Sequence, residues 1–77
     1  MTMRSEFTDR VIRFGTDGDQ VTVLFAGMAA GYEIPVTAAD IGALLAAIAV
    51  SWQHQRPLDV VVEGTRIVSA KARGRLN

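Results

Sequence analysis

The sequence predicts a small α+β domain: one five-stranded antiparallel sheet, in the order β-β-β-α-β-β, with a single helix packed on one face. Three observations carry this expectation. Residues 38–55 hold the one sustained helical period, with Ile41, Leu44, Leu45, Ile48 and Trp52 in a sector about 100° wide. Asp17-Gly18 and Gly64-Thr65 mark tight turns between alternating apolar segments. The links between consecutive strands are short except across the helix, and hairpin links force antiparallel neighbours.

Residues 1–6 read as a loosely ordered start. Phe7 to Phe14 alternates, with Thr8, Arg10, Ile12 and Phe14 on one side and Asp9, Val11 and Arg13 on the other, as a strand of mixed polarity at an edge would. Asp17-Gly18 predicts a type I′ turn, whose two central residues need positive φ. Gln20 to Ala26 returns with Val21, Val23 and Phe25 on one face. The segment Gly27-Met28-Ala29-Ala30-Gly31 is a loop. Tyr32 to Val36 is a third strand with Tyr32, Ile34 and Val36 inward, and Pro35, lacking an N–H, leaves one side of it unpaired.

The helix start is marked three ways. Thr37 is an N-cap residue, Asp40 stands three residues later as in a capping box, and Val36 and Ile41 occupy the staple positions. Pro57 disfavours helix at Arg56, so the helix ends near Gln55. Leu58 to Glu63 forms a fourth strand with Leu58, Val60 and Val62 on one face, and Arg66 to Arg73 a fifth. Residues 74–77 form a tail. The large helix stripe, Trp52 included, is expected to pack on the inward residues of the sheet.

Composition narrows the function classes. Seventy-seven residues make one domain with a thin stability margin. With no cysteine there is neither a disulfide nor a zinc–thiolate site, and small scaffolds lacking such supports often oligomerise. Eight basic and eight acidic residues balance, which argues against a strongly electrostatic binder of nucleic acid or membrane. The N-terminal segment has no apolar core of the signal-peptide kind, and the apolar run at 41–50 is half of the ~20 residues that a membrane span needs. A cytoplasmic location is expected.

The helix face opposite the large stripe is the leading candidate surface. Ala39, Gly42, Ala43, Ala46, Ala49 and Val50 cover it, and residues 41–52 carry no charge. Exposed helix positions in soluble proteins are usually diluted by Lys, Glu or Arg. A partner or dimer interface is therefore expected there, although alanine is also the best helix former. A second candidate is the basic end of the chain, Arg66, Lys71, Arg73 and Arg75, joined by Arg10 or Arg13 if the first strand lies near. Its functional reading is a nucleic-acid contact with steep salt dependence. Its structural reading is charge protection of an edge strand.

Other constellations are weak. Asp17 and Asp19 flank Gly18 without the six or more oxygens of a calcium site. His54 is the only histidine, and Ser51, His54 and Asp59 form a list rather than a triad. The glycines of 27–31 lack the Lys-Ser/Thr that completes a phosphate loop. No catalytic residue, metal site or cofactor is assigned.

The expectation is a non-enzymatic protein–protein interaction module, a homodimer through the alanine face, acting as inhibitor or regulator of a larger protein complex. Mobile-element inhibitors of host defence systems, such as anti-CRISPR proteins, exemplify that class of short chain. The alternative is a nucleic-acid-binding module using the basic C-terminal strand. An enzyme would need a pocket with convergent polar groups, and few polar residues lie outside the turns.

Overall fold

The alternating segment around Phe7 to Phe14 is two strands, not one, and the sheet has six strands rather than five. The computed structural model describes residues 3–72. In chain order the elements are β1 (Arg4–Asp9), β2 (Val11–Asp17), β3 (Gln20–Phe25), β4 (Tyr32–Pro35), α1 (Ile41–His54), β5 (Leu58–Glu63) and β6 (Arg66–Ala72). Residues 4–6, expected to be loose, pair in β1: Arg4 faces Glu63 and Asp9 faces Leu58.

The sheet order is β1-β5-β6-β4-β3-β2, so the first two strands lie at opposite edges although only Arg10 separates them. In a flat sheet, five strand spacings would hold those edges about 24 Å apart. Asp9 and Val11 are at most about 7 Å apart along the chain. The sheet must therefore roll until its edges meet at Arg10. A register shift between Val11 and Arg13 in β2 supplies part of that curl, as a bulge sharpens twist.

Four of the five strand pairs are antiparallel, and β4–β6 is parallel. That parallel pairing holds only one register pair, Glu33 with Arg66. Its bond runs from the Glu33 N–H to the Thr65 carbonyl, 2.9 Å. The next residue to aim its backbone at β6 is Pro35, which has no proton to donate. Val36 turns the other way, its N–H reaching the Asp19 carbonyl at 3.0 Å. The predicted loss of pairing at Pro35 thus ends the parallel ladder.

Both hairpins close on two-residue turns, Gly18-Asp19 and Gly64-Thr65. Gly18 has φ +65° and Gly64 φ +64°, while Asp19 and Thr65 are not in the positive-φ region. Positive φ at the first central residue alone is the type II′ pattern. The first turn therefore sits one residue later than the predicted Asp17-Gly18.

The core contains Val11, Val21, Val23, Phe25, Ile34, Leu44, Ile48, Leu58, Val60, Val62 and Ile67, all buried. Burying such a side chain is worth about 1.5–3 kcal/mol. Phe7 closes one end, its ring 5.1 Å from Phe25 and 5.3 Å from Tyr32. The predicted inward residues of β3 and β5 hold their places. Val36 does not: it lies beyond β4 and is exposed.

α1 begins at Ile41, not at residue 38. Asp40 occupies the N-cap without a side-chain bond, and Thr37 lies in a preceding turn. Two short turns, with Ala38 N–H to the Pro35 carbonyl and Ile41 N–H to the Ala38 carbonyl, use the residues assigned to the first helical turn. The C-terminus is as expected: Gln55 adopts the left-handed conformation just before Arg56-Pro57. Its inward stripe is Leu44, Ile48 and Ser51, rotated away from Trp52. No helix among the described residues is long and apolar enough to cross a membrane.

Candidate interaction surface

The outward half of α1 is apolar and uncharged, as the sequence predicts. Gly42, Ala43, Ala46 and Val50 are exposed and Ala49 is half-buried, whereas Ala39, also exposed, lies in the turn before the helix and not on its face, where the sequence predicts it. At 1.5 Å per residue, this face runs about 12 Å along the helix from Gly42 to Val50. The flank toward β2 ends in Trp52. Expected in the core, its side chain is instead 50% exposed, its ring set edge-on to Phe14 at 5.7 Å. The correction has a simple cause. At 100° per residue Trp52 lies about 80° round the helix from Leu44, and the central position of its turn belongs to Ser51.

Ser51 is fully buried. Its Oγ accepts the Val11 N–H at 3.0 Å and donates to the Arg56 carbonyl at 2.5 Å. The Arg10 guanidinium donates to Gln55 Oε1 at 3.2 Å, and the Arg56 N–H to the Ser51 carbonyl at 3.1 Å. The last turn of α1 is thereby tied to the corner between the two edge strands. The other side of that corner is held by Asp9, whose Oδ1 accepts the Arg10 N–H at 2.8 Å and Oδ2 the Gly27 N–H at 2.7 Å. The Ala26 N–H completes it on the Arg10 carbonyl, 3.1 Å. These bonds fix α1 against β2, and with it the exposed face.

The corner also disposes of the Ser51/His54/Asp59 set. The Ser51 hydroxyl is committed to backbone groups in the core, His54 is exposed, and Asp59 accepts the Thr8 hydroxyl at 2.7 Å on the other side of the sheet.

The basic residues are not brought together. Arg66 and Lys71 lie near opposite ends of β6, roughly 16 Å apart at strand rise. Arg73 and Arg75 lie outside the described residues. Nor is β6 an edge strand in need of protection, since it runs between β5 and β4. Arg66 is 3.2 Å from Glu63, which Arg4 also meets at 2.6 Å. The hydrogen bond from Arg4, then that from Arg66, hold the Glu63 carboxyl below the usual carboxylate range. Lys71 sits in register with Asp59. Among the described residues no group of acidic and histidine side chains is arranged to hold a metal.

The structure adds a feature that the sequence did not disclose. β2 has β3 as its one sheet neighbour, so its far edge is open. A cleft of about 360 Å³ lies over β2 and its neighbour β3, lined by Arg13, Phe14, Gly15, Thr16, Asp17, Thr22 and Leu24. A second, of about 340 Å³, lies where β4 and β6 part, between Pro35–Asp40 and Arg66–Val68. The bulge at Ile12 is the local signal of an edge, but only the strand order shows which edge is free.

No family model matches the sequence, and no curated protein matches it. Among solved structures the fold is similar to part of pro-protein-glutaminase, with a TM-score of 0.82 at 12% identity. The match covers 92% of this chain and 26% of that one. This chain thus spans about a quarter of that protein's length, and the likeness is one of fold.

Proposed function

We propose that this chain is a non-enzymatic protein–protein interaction module of the cytoplasm, self-associating as a homodimer and regulating or inhibiting a larger protein complex. The observation that carries the reading is the outward face of α1. Gly42, Ala43, Ala46 and Val50 are exposed on one face, with Ala39 exposed in the turn before it and no charged residue between 41 and 52. Small residues let a second backbone approach closely, and removing the flanking Trp52 from water adds the area of an indole, a residue type enriched where binding energy concentrates. The fold match is compatible with a module, since in pro-protein-glutaminase the matching part is a quarter of a longer chain. The nucleic-acid reading loses support, because Arg66 is already engaged by Glu63 and stands apart from Lys71.

The test is solution mass by light scattering after size exclusion, across a dilution series, for the wild type and Ala46→Glu. Ala46 is exposed, so the added carboxylate leaves the fold intact. A wild-type dimer that Ala46→Glu dissociates supports the reading. A dimer that survives the substitution removes the helix face from it.

A further inference from the structure

We propose that the open edge of β2 is a self-complementary seam. A second copy adds its own β2 antiparallel, centred on Gly15, so that the two sheets become one. This rests on the homodimer reading above and assigns it a second surface.

Backbone direction comes first. The β2–β3 hairpin closes on the pair Asp17 and Gln20 around a two-residue turn. In an antiparallel ladder, hydrogen-bonded and non-bonded pairs alternate. Asp17 and Gly15 therefore bond to β3, whereas Thr16, opposite Val21, and Phe14, opposite Val23, turn their N–H and C=O groups to the open edge. An antiparallel copy of β2 matched about Gly15 sets Phe14 against Thr16 of the second copy, and Thr16 against Phe14. Both are outward-bonding residues, so two closed pairs of backbone hydrogen bonds form.

Side chains select this register over its neighbours. Arg13 and Asp17 stand two residues either side of Gly15 and share the outer face, opposite Leu24 and Gln20. Among the described residues neither has an ion-pair partner. Matching about Gly15 places each Arg13 across from the Asp17 of the second copy, twice per dimer. Sliding by one pair either way separates the charges. Charges on an edge strand ordinarily discourage pairing. Here they are of opposite sign and symmetric about a glycine, so they discourage every register but one. Gly15 itself would face Gly15, where nothing lies within 4 Å of an added Cβ and the strands can approach closely.

The symmetry is a two-fold axis perpendicular to the sheet, which keeps like faces together. Both α1 helices then lie on one side of the joined sheet, with the exposed Trp52 flank of each beside β2, against Phe14. The exposed Ile12, at the bulge of the same strand, gains cover along the same seam.

The experiment measures the dimer dissociation constant for the wild type, Ala46→Glu, Thr16→Pro, Arg13→Asp, Asp17→Arg and the double charge swap. Proline is tolerated on edge strands, and the Thr16 N–H makes no bond to β3. Thr16→Pro removes one bond per copy, weakening the dimer about thirtyfold. Each single charge reversal weakens it about tenfold, and the double swap restores it. Restoration by the swap supports the seam even if Thr16→Pro proves unfolded. A dimer indifferent to both charge reversals overturns the seam. If that dimer still responds to Ala46→Glu, the helix-face reading stands without the seam. A dimer broken by the β2 variants but not by Ala46→Glu supports the seam and retires the helix face. A monomeric wild type ends both.

Discussion

The buried hydroxyl of Ser51 receives the backbone N–H of Val11 at 3.0 Å, joining the last turn of the helix to the first residue of an edge strand forty positions earlier. The same oxygen donates to the Arg56 carbonyl. One side chain thus completes two backbone groups that the curled sheet would otherwise leave dry.

Replacing Ser51 by alanine leaves those groups unpartnered. The expected cost is about 1–3 kcal/mol, or a fall in Tm of roughly 5–20 °C for a domain of this size. Gln53→Ala, on the exposed side of the same turn, should change stability by less than about 0.5 kcal/mol. Thermal unfolding followed by circular dichroism compares the two. An equal effect at both positions would deny Ser51 its place at the join.

Asp9 performs the complementary task on the other side of the corner, with one carboxylate oxygen for the Arg10 N–H and one for the Gly27 N–H. Asp9→Ala should cost about 2 kcal/mol. Asp9→Asn, which keeps one acceptor and sets an NH₂ against the other donor, should recover only part of this. Amide hydrogen exchange is the readout: the Gly27 N–H should exchange faster in both variants while the β5–β6 hairpin keeps its protection.

How much of this was legible in the chain depends on the range over which each interaction is decided. Val21, Val23 and Phe25, like Leu58, Val60 and Val62, declare their face by period two, and their burial follows. Gly64-Thr65 and Pro57 act within a few residues and were equally readable. The β1–β2 corner was not, because alternation runs on through Arg10 without a turn residue. Val11 and Phe14 both face the core only because of the bulge between them. The burial of Ser51 was not legible, because its partners, Val11 and Arg56, bond it through backbone groups that carry no sequence signal. Of the candidate surface, the alanine face was readable from composition. The β2 edge was not, since an edge is defined by the strand that fails to arrive.

Glu63 predicts a pH response. Its carboxyl titrates lower in the folded chain than in the unfolded one because Arg4 and Arg66 hold it. Between the two values the unfolded chain binds more protons, so stability rises with pH. The contribution is fully present above the ordinary carboxylate value, about 4.3. It fades as pH falls from there through the lowered folded value. Both arginines are exposed, so the effect is small and weakens with salt. Glu63→Gln should flatten Tm against pH in that acid window and leave neutral pH nearly untouched. A variant with the wild-type slope would place the acid sensitivity elsewhere.

Trp52 is the only tryptophan and reports on the β2 flank. If copies join along β2, its half-exposed ring loses water, and emission should shift to the red as the protein is diluted through its dissociation constant. Thr16→Pro should keep the red-shifted spectrum up to about thirtyfold higher concentration than the wild type. An emission maximum that does not move while the mass halves would place Trp52 outside the contact.

The placement of β5 and β6 between β1 and β4 also bears on how the chain is made. β1 is made before the other described strands, yet its one partner strand begins at Leu58. The β2–β3–β4 meander can form as it emerges, but it holds an open side until the final hairpin arrives to fill the gap. Long-range pairing of this kind is slow. The polypeptide is therefore exposed to premature pairing throughout translation, and the charged face that β1 carries, Arg4 and Glu6, is what stands guard over it during that wait.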